Sequence, residues 1–208
     1  MKGAFIVFEG VEGAGKSTQI RLLREYLERE GYEVVTTQEP GGTPLGRAIR
    51  EILLNPEFKE MDPKTEALLY LASRAQHVSE VIGPVLDQRK VVLCDRFFLS
   101  SLAYQGYGRG LGLKKITEIN EWAVQGLAPD FTFVLLLPVE EGLKRATRHR
   151  IDRIERESLD FHRRVQEGFL ALAKSSPQSL HVVDASRDRE QIHHEIKEIV
   201  APILGQKR

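Results

Sequence analysis

The stretch EGVEGAGKST, residues 9 to 18, sets four residues between Gly10 and Gly15-Lys16-Ser17. An apolar run, Ala4 to Phe8, leads into it, and Ile20, Leu23 and Leu27 follow at helical spacing until Gly31. A strand that enters a glycine-rich turn and leaves as a helix is a phosphate-binding loop. Its backbone N–H groups converge on phosphate oxygens, and the helix N-terminus adds its dipole. Gly10, Val11, Glu12, Gly13, Ala14, Gly15, Lys16, Ser17 and Thr18 are therefore expected to hold a nucleoside triphosphate. Lys16 should reach the β- and γ-phosphates, and the Ser17 hydroxyl should ligate Mg²⁺. Glu12 is the anomaly, because a carboxylate facing a triphosphate would be repelled.

The rest of the chain alternates in the same way, which predicts a mostly parallel sheet. Strands are expected at Ala4 to Phe8, Glu33 to Thr37, VVLC (91–94), Phe131 to Leu137 and LHVVDA (180–185). Helices are expected over 45–54, over 63–89 with a break or kink at Gly83-Pro84, and over 113–126; a further helix should follow a charged segment, 144–164, and a last one should close the chain. The fold class is thus α/β: a doubly wound, five-stranded parallel sheet in one domain, residues 1–208. In such sheets ligands sit at the carboxyl ends of the strands.

Bulk properties narrow the function. Thirty basic and thirty acidic residues give zero formal charge, which argues against a sequence-independent grip on nucleic acid. A single cysteine, Cys94, rules out an internal disulfide and suits a reducing compartment. The longest apolar runs are too short to span a bilayer, and MKGAFIVFEG does not read as a signal peptide. A cytoplasmic setting is expected. A switch GTPase would carry an Asn-Lys-x-Asp segment and an Asp-x-x-Gly turn; neither occurs, and Asp95 is followed by Arg-Phe-Phe. Phosphoryl transfer between small molecules is the better reading.

Four stretches supply its chemistry. Asp95-Arg96 ends a strand, where Asp95 can hold Mg²⁺ or its water and Arg96 can grip a second phosphate. LLYLASRAQ (68–76) places Tyr70 and Arg74 four apart on one helix face, an aromatic plate beside a planar donor. SSLAYQG (100–106) adds hydroxyls, a tyrosine and an amide. LKRATRHRIDRIERESLDF (143–161) carries arginines at 145, 148, 150, 153 and 156. A charge run of this kind is commonly a solvated face. Here it follows the fourth strand, at the ligand edge, and the phosphate loop has no arginine of its own. A mobile lid at about 144–157 could bring a guanidinium to the transferred phosphoryl and exclude water.

With these residues in view, the sequence resembles thymidylate kinase along essentially its whole length. The resemblance is carried by FEGVEGAGKST, EPGGTPLG, LLYLASRAQ, DRFFLSSLAYQGYGRG, LAPD and DRIERESLDFHRRVQEGFLALA. It implies a P-loop nucleoside monophosphate kinase that moves the γ-phosphoryl of ATP to dTMP with Mg²⁺, in a family that is usually homodimeric. It also implies roles. Tyr70 would stack on thymine and Arg74 would bond its polar edge, while Ser101, Tyr104 and Gln105 would line base and sugar. Arg96 would bind the dTMP phosphate, helped by Glu39 and by Arg47 or Arg50. Glu12 would reach the deoxyribose 3′-OH, and Ser17 and Asp95 would serve the metal. Members differ in where the catalytic arginine lies. This chain resembles the type with a glutamate in the loop and arginines in the lid, so Arg148, Arg150 and Arg153 join Lys16 and Arg96 as catalytic candidates, with Arg153 of DRIE first.

Overall fold

A computed structural model of the chain describes residues 3–146, 151–175 and 180–206. Its five strands are β1 (Ala4–Gly10), β2 (Val34–Gln38), β3 (Val91–Asp95), β4 (Phe131–Leu136) and β5 (Leu180–Asp184). They form one all-parallel sheet in the order β2-β3-β1-β4-β5. The unbroken apolar runs at β1 and β4 follow from this order: both lie inside the sheet, and every residue of both is buried. The edge strands β2 and β5 leave residues partly exposed.

Alternate residues of β1 feed two cores. Ile6 and Phe8 pack with α1 (Lys16–Arg29) through Ile20, Leu23 and Leu27, and with α9 (Arg189–Gln206) through Ile192, Ile196 and Val200. Phe5 and Val7 face the other way, toward Val78, Ile82, Leu86 and Val124. Helices thus cover both faces, and the chain turns at the carboxyl ends of β1 and β3, leaving Gly10 and Asp95 at the same edge.

Local chemistry sets the helix starts. Thr43 caps α2 (Pro44–Leu54) by accepting from Gly46 N at 2.9 Å, and Asp62 caps α3 (Pro63–His77) by accepting from Lys64 N at 2.9 Å. Both helices begin with proline, whose missing N–H costs nothing there. The break or kink expected at Gly83-Pro84 is an irregularity and not an end: α3 widens into π-type turns over Val78–Ile82 and continues as α4 (Gly83–Asp87). A wider turn makes room for the Pro84 ring and removes the need for its N–H.

Two helical pieces have no counterpart in the sequence reading. One is α5 (Phe98–Ser101), which runs into wide turns over Leu102–Gly108 before α6 (Leu113–Val124). The other is α7 (Val139–Ala146), directly after β4. The following helix, α8 (Leu159–Ser175), starts inside the charged segment instead of after it.

Candidate active site

The phosphate loop joins β1 to α1 at the carboxyl edge of the sheet. Gly10 and Gly13 have φ of +129° and +68°, and each lies against backbone: a Cβ would stand 2.0 Å from Leu135 O and 2.1 Å from Gly142 O respectively. Only glycine fits either place. Lys16 is buried, its ammonium lying on the loop carbonyls of Val11 (3.0 Å) and Gly10 (3.4 Å). Burial and the nearby Arg96 charge both lower its pKa. Val11 and Gly10 sit behind this ammonium, while Glu12 to Thr18 line an open cleft.

Ser17 Oγ donates to Asp95 Oδ2 at 3.0 Å, so a hydroxyl from α1 and a carboxylate from the end of β3 meet at that cleft. These are hard oxygen donors of the kind Mg²⁺ prefers. Among the described residues no cluster of three or more His, Cys, Asp or Glu is placed to hold a metal. A cation here would depend on phosphate oxygens and water for most of its shell.

A second cleft opens next to the first. Glu12, Glu39, Tyr70, Arg74, Arg96, Ser101, Tyr104 and Gln105, the eight acceptor-side candidates, all line it. Glu12, Glu39, Arg50 and Arg96 border both clefts. Arg74 is the most buried of the set. Its Nε donates to Glu39 Oε2 at 2.6 Å, Nη1 to Ser101 Oγ at 2.8 Å and to Asn120 Oδ1, and Nη2 to Phe97 O at 2.7 Å. Four of its five N–H groups are thus committed to protein, and a base could draw on the remaining Nη2 hydrogen. Sequence reasoning passed over Asp152 and Ile154, which also line this cleft, and gave no separate role to Ser100, one of the SSLAYQG hydroxyls found there. Asp152 and Ile154 flank Arg153, so adjacency was their only signal. Arg47 lies apart, in a groove beside α1 and β2, whereas Arg50 donates to Pro40 O at 3.0 Å and faces both clefts.

Glu12 turns away from the triphosphate side. Its Oε1 accepts from Arg96 Nη2 at 2.7 Å and from the Tyr104 hydroxyl at 2.9 Å, while the Arg96 guanidinium lies 5.0 Å over the Tyr104 ring. Burial alone would raise the Glu12 carboxyl; Arg96, Lys16 and Tyr104 outweigh it and hold the group at about 2, against an ordinary 4.5. A folded value below the unfolded one contributes stability that is complete above about pH 4.5 and is lost as pH falls toward 2. Glu12→Gln has no proton to gain, so its urea midpoint should decline less steeply across that window. An unchanged slope would put the acid-sensitive group elsewhere.

The loop and the segment after β4 interlock. A Cβ on Gly142 of α7 would come 2.4 Å from Glu12 O, so helix and loop touch backbone to backbone. Arg145 and Ala146 carry α7 on to the edge of the phosphate cleft. Gly142→Ala should push the helix off the loop and weaken ATP binding roughly tenfold, within the ~1–3 kcal/mol typical of overpacking. Calorimetry with a non-hydrolysable ATP analogue checks this; unaltered affinity would mean the helix yields without moving the loop.

Arg153 departs from expectation. It is buried and directed away from the phosphate loop: Nε donates to Leu53 O at 2.7 Å, its backbone N to Leu54 O at 3.1 Å, and Nη2 pairs with Glu66 Oε2 at 2.7 Å. A guanidinium engaged in this way anchors the segment and, in this arrangement, is not poised over the transferred group. Arg148 and Arg150, the other two lid candidates, lie outside the described residues.

Comparison with known proteins agrees with this geometry. The thymidylate kinase family model matches residues 8–196. The chain is 52% identical to a thymidylate kinase of Pelotomaculum thermopropionicum, over 98% of this chain and 95% of that one. It is 46% identical to one of Bacillus pumilus, over 98% of each. The crystal structure of thymidylate kinase from Ehrlichia chaffeensis superposes with a TM-score of 0.79 at 35% identity, covering 97% of this chain and 99% of that one. With two clefts sharing Glu12 and Arg96 and a likeness that runs nearly end to end, the chain belongs to the thymidylate kinase family.

Proposed function

We propose that this chain transfers the γ-phosphoryl group of ATP to dTMP, giving dTDP and ADP, as one kinase domain whose arginine-rich segment at about 144–157 acts as the lid. The observation that carries this is the shared wall: Glu12, Glu39, Arg50 and Arg96 border both the phosphate-loop cleft and the cleft of Tyr70, Arg74 and Gln105. Donor and acceptor bound there would face each other across those four side chains.

A monophosphate acceptor is already anionic, so alignment and charge neutralisation suffice and no strong base is required. Lys16 would meet the donor phosphates, Arg96 the acceptor phosphate, and Arg148 or Arg150 the transferred group once the lid closes. Mg²⁺, held by Ser17 with Asp95 behind it, would neutralise phosphate charge when bound. Glu12 would orient the sugar 3′-OH, and Tyr70 would stack on the base while Arg74 and Gln105 address its edge. A deoxynucleoside kinase would instead need a base to activate a neutral hydroxyl. Glu12, held at about 2, is a poor proton acceptor at neutral pH, which favours the monophosphate.

Two wider expectations go with this reading. The reaction would take place in the cytoplasm; among the described residues no helix is long and apolar enough to cross a membrane. A homodimer would cover Leu45 and Ile52 of α2, Leu68 of α3 and Trp122 of α6, large apolar side chains exposed on packed neighbouring helices. ADP release measured with dTMP, dUMP, UMP, AMP, thymidine or no acceptor tests the function. Selective turnover of dTMP supports it, and preference for thymidine replaces it.

A further inference from the structure

A buried carboxylate with three partner residues on the acceptor side lies one helical turn from the cleft wall. Glu66 precedes Tyr70 and Arg74 on α3 at spacings of four and eight, so the three form one stripe of that helix. It is fully buried. Its Oε1 accepts from Gln105 Nε2 at 2.9 Å and from Arg109 Nε at 3.1 Å; its Oε2 accepts from Arg109 Nη2 at 2.8 Å and pairs with Arg153 Nη2 at 2.7 Å. Glu157 also pairs with Arg109, at 2.7 Å. Two guanidinium groups and two carboxylates therefore balance in a nearly dry site, where each charge depends on the others.

We propose that Glu66 is a positioning residue that couples acceptor recognition to the seating of residues 151–157, a role that rests on the phosphoryl-transfer reading above. One of its oxygens fixes the amide of Gln105, which lines the acceptor cleft. The other forms an ion pair with Arg153 Nη2, which makes no aligned hydrogen bond, and the chain neighbours of Arg153, Asp152 and Ile154, line the same cleft. The backbone of Arg153 is pinned to Leu54 at the end of α2, so this peg has a single seat. An acceptor that engages Gln105 pulls on the carboxylate that holds Arg153. A displaced Arg153 in turn releases both cleft-lining neighbours. Arg153 thus acts on the acceptor side, through position, and not on the transferred phosphoryl.

Glu66→Gln and Arg153→Gln, singly and together, separate this from a role in stability alone. Kinetics are taken with ATP and dTMP each varied, well below the melting temperature of every variant. Limited trypsin cleavage after the exposed Arg156 is followed with and without dTMP. Each single variant should raise the KM for dTMP by about tenfold, leave that for ATP within about twofold, and lose the protection that dTMP gives this bond. The double variant should be no worse than the poorer single one, since both break one linkage. Should Glu66→Gln not fold, Glu66→Asp keeps the charge and retracts it by one methylene, with the same readouts. Lower melting temperatures with unchanged KM and intact protection would overturn the proposal. So would an Arg153→Gln effect confined to kcat, which would return Arg153 to the transferred group. An unaltered chain that dTMP neither protects nor engages as a substrate overturns the function and the coupling together; protection kept in the variants overturns the coupling alone.

Discussion

Arg96→Ala is expected to lower kcat/KM for dTMP by at least about a hundredfold, the loss typical of a charge-bearing donor at a transferred or accepted phosphate. Binding of ATP alone should stay within a few-fold. The guanidinium stands at the junction of the clefts, donating to Gly10 O at 2.8 Å, Ser100 Oγ at 3.2 Å and Glu12 Oε1 at 2.7 Å. Its backbone is unusual, with φ +67°, a left-handed conformation that costs a non-glycine residue roughly 1 kcal/mol. Buried Glu9 holds that turn: Oε1 accepts from Phe97 N at 2.9 Å and Ser100 N at 3.1 Å, and Oε2 from the Ser100 hydroxyl. Because this clamp grips backbone and Ser100, alanine at position 96 keeps the turn and removes the guanidinium with its charge and its three hydrogen bonds. The loss is compounded at Glu12, whose main counter-charge disappears and whose carboxylate then faces the incoming phosphate alone. Arg96→Lys keeps the charge without the planar fork and should fall between the two. Steady-state kinetics with calorimetry for ATP decides it; dTMP kinetics equal to those of the unaltered chain would remove Arg96 from the acceptor site.

Strand positions were legible because β1 and β4 are buried on both faces and so carry apolar runs without alternation. The strand order was not, since nothing local to β3 says that it lies between β1 and β2. The phosphate loop was legible through glycine spacing, because backbone contact at Gly10 and Gly13 excludes a side chain. Residues as far apart as Glu12 and Gln105 meet in one cleft because every turn involved lies at the carboxyl edge of the sheet. Charged residues were read less well. Glu66 looks like any helix glutamate, and its burial arises only when Arg109 and Arg153 converge from distant segments. In the same way, a run of five arginines at short intervals does not reveal that Arg153 folds inward. The short helix α7 escaped because eight residues carry too little periodicity, and its key residue, Gly142, acts by having no side chain.

Glu39→Ala should destabilise the fold by about 3–5 kcal/mol, the cost typical of leaving one member of a buried ion pair without its partner. Glu39 and Arg74 have side chains only 3% and 2% exposed, and the bond between them is 2.6 Å. The other carboxylate oxygen lies 3.0 Å from His77 Nδ1, and His77 Nε2 lies 2.6 Å from Thr37 Oγ1, so one deletion disturbs β2, α3 and the cleft wall at once. Ser101, Asn120 and Phe97 O would still accept from Arg74, but all three are neutral and cannot balance its charge. At this chain length the loss corresponds to roughly 10 °C in Tm. Glu39→Gln keeps the volume and one acceptor oxygen and should cost less than alanine. Replacing both partners, as Glu39→Leu with Arg74→Met, should cost less than the sum of the single changes, because no buried charge is then stranded. Urea unfolding of Glu39→Ala, Glu39→Gln, the two single changes and their double at neutral pH measures this, with a lowered midpoint at constant slope as the expected signature. A Glu39→Ala loss below about 1 kcal/mol would mean that water reaches the Arg74 guanidinium and that the pair behaves as a surface one.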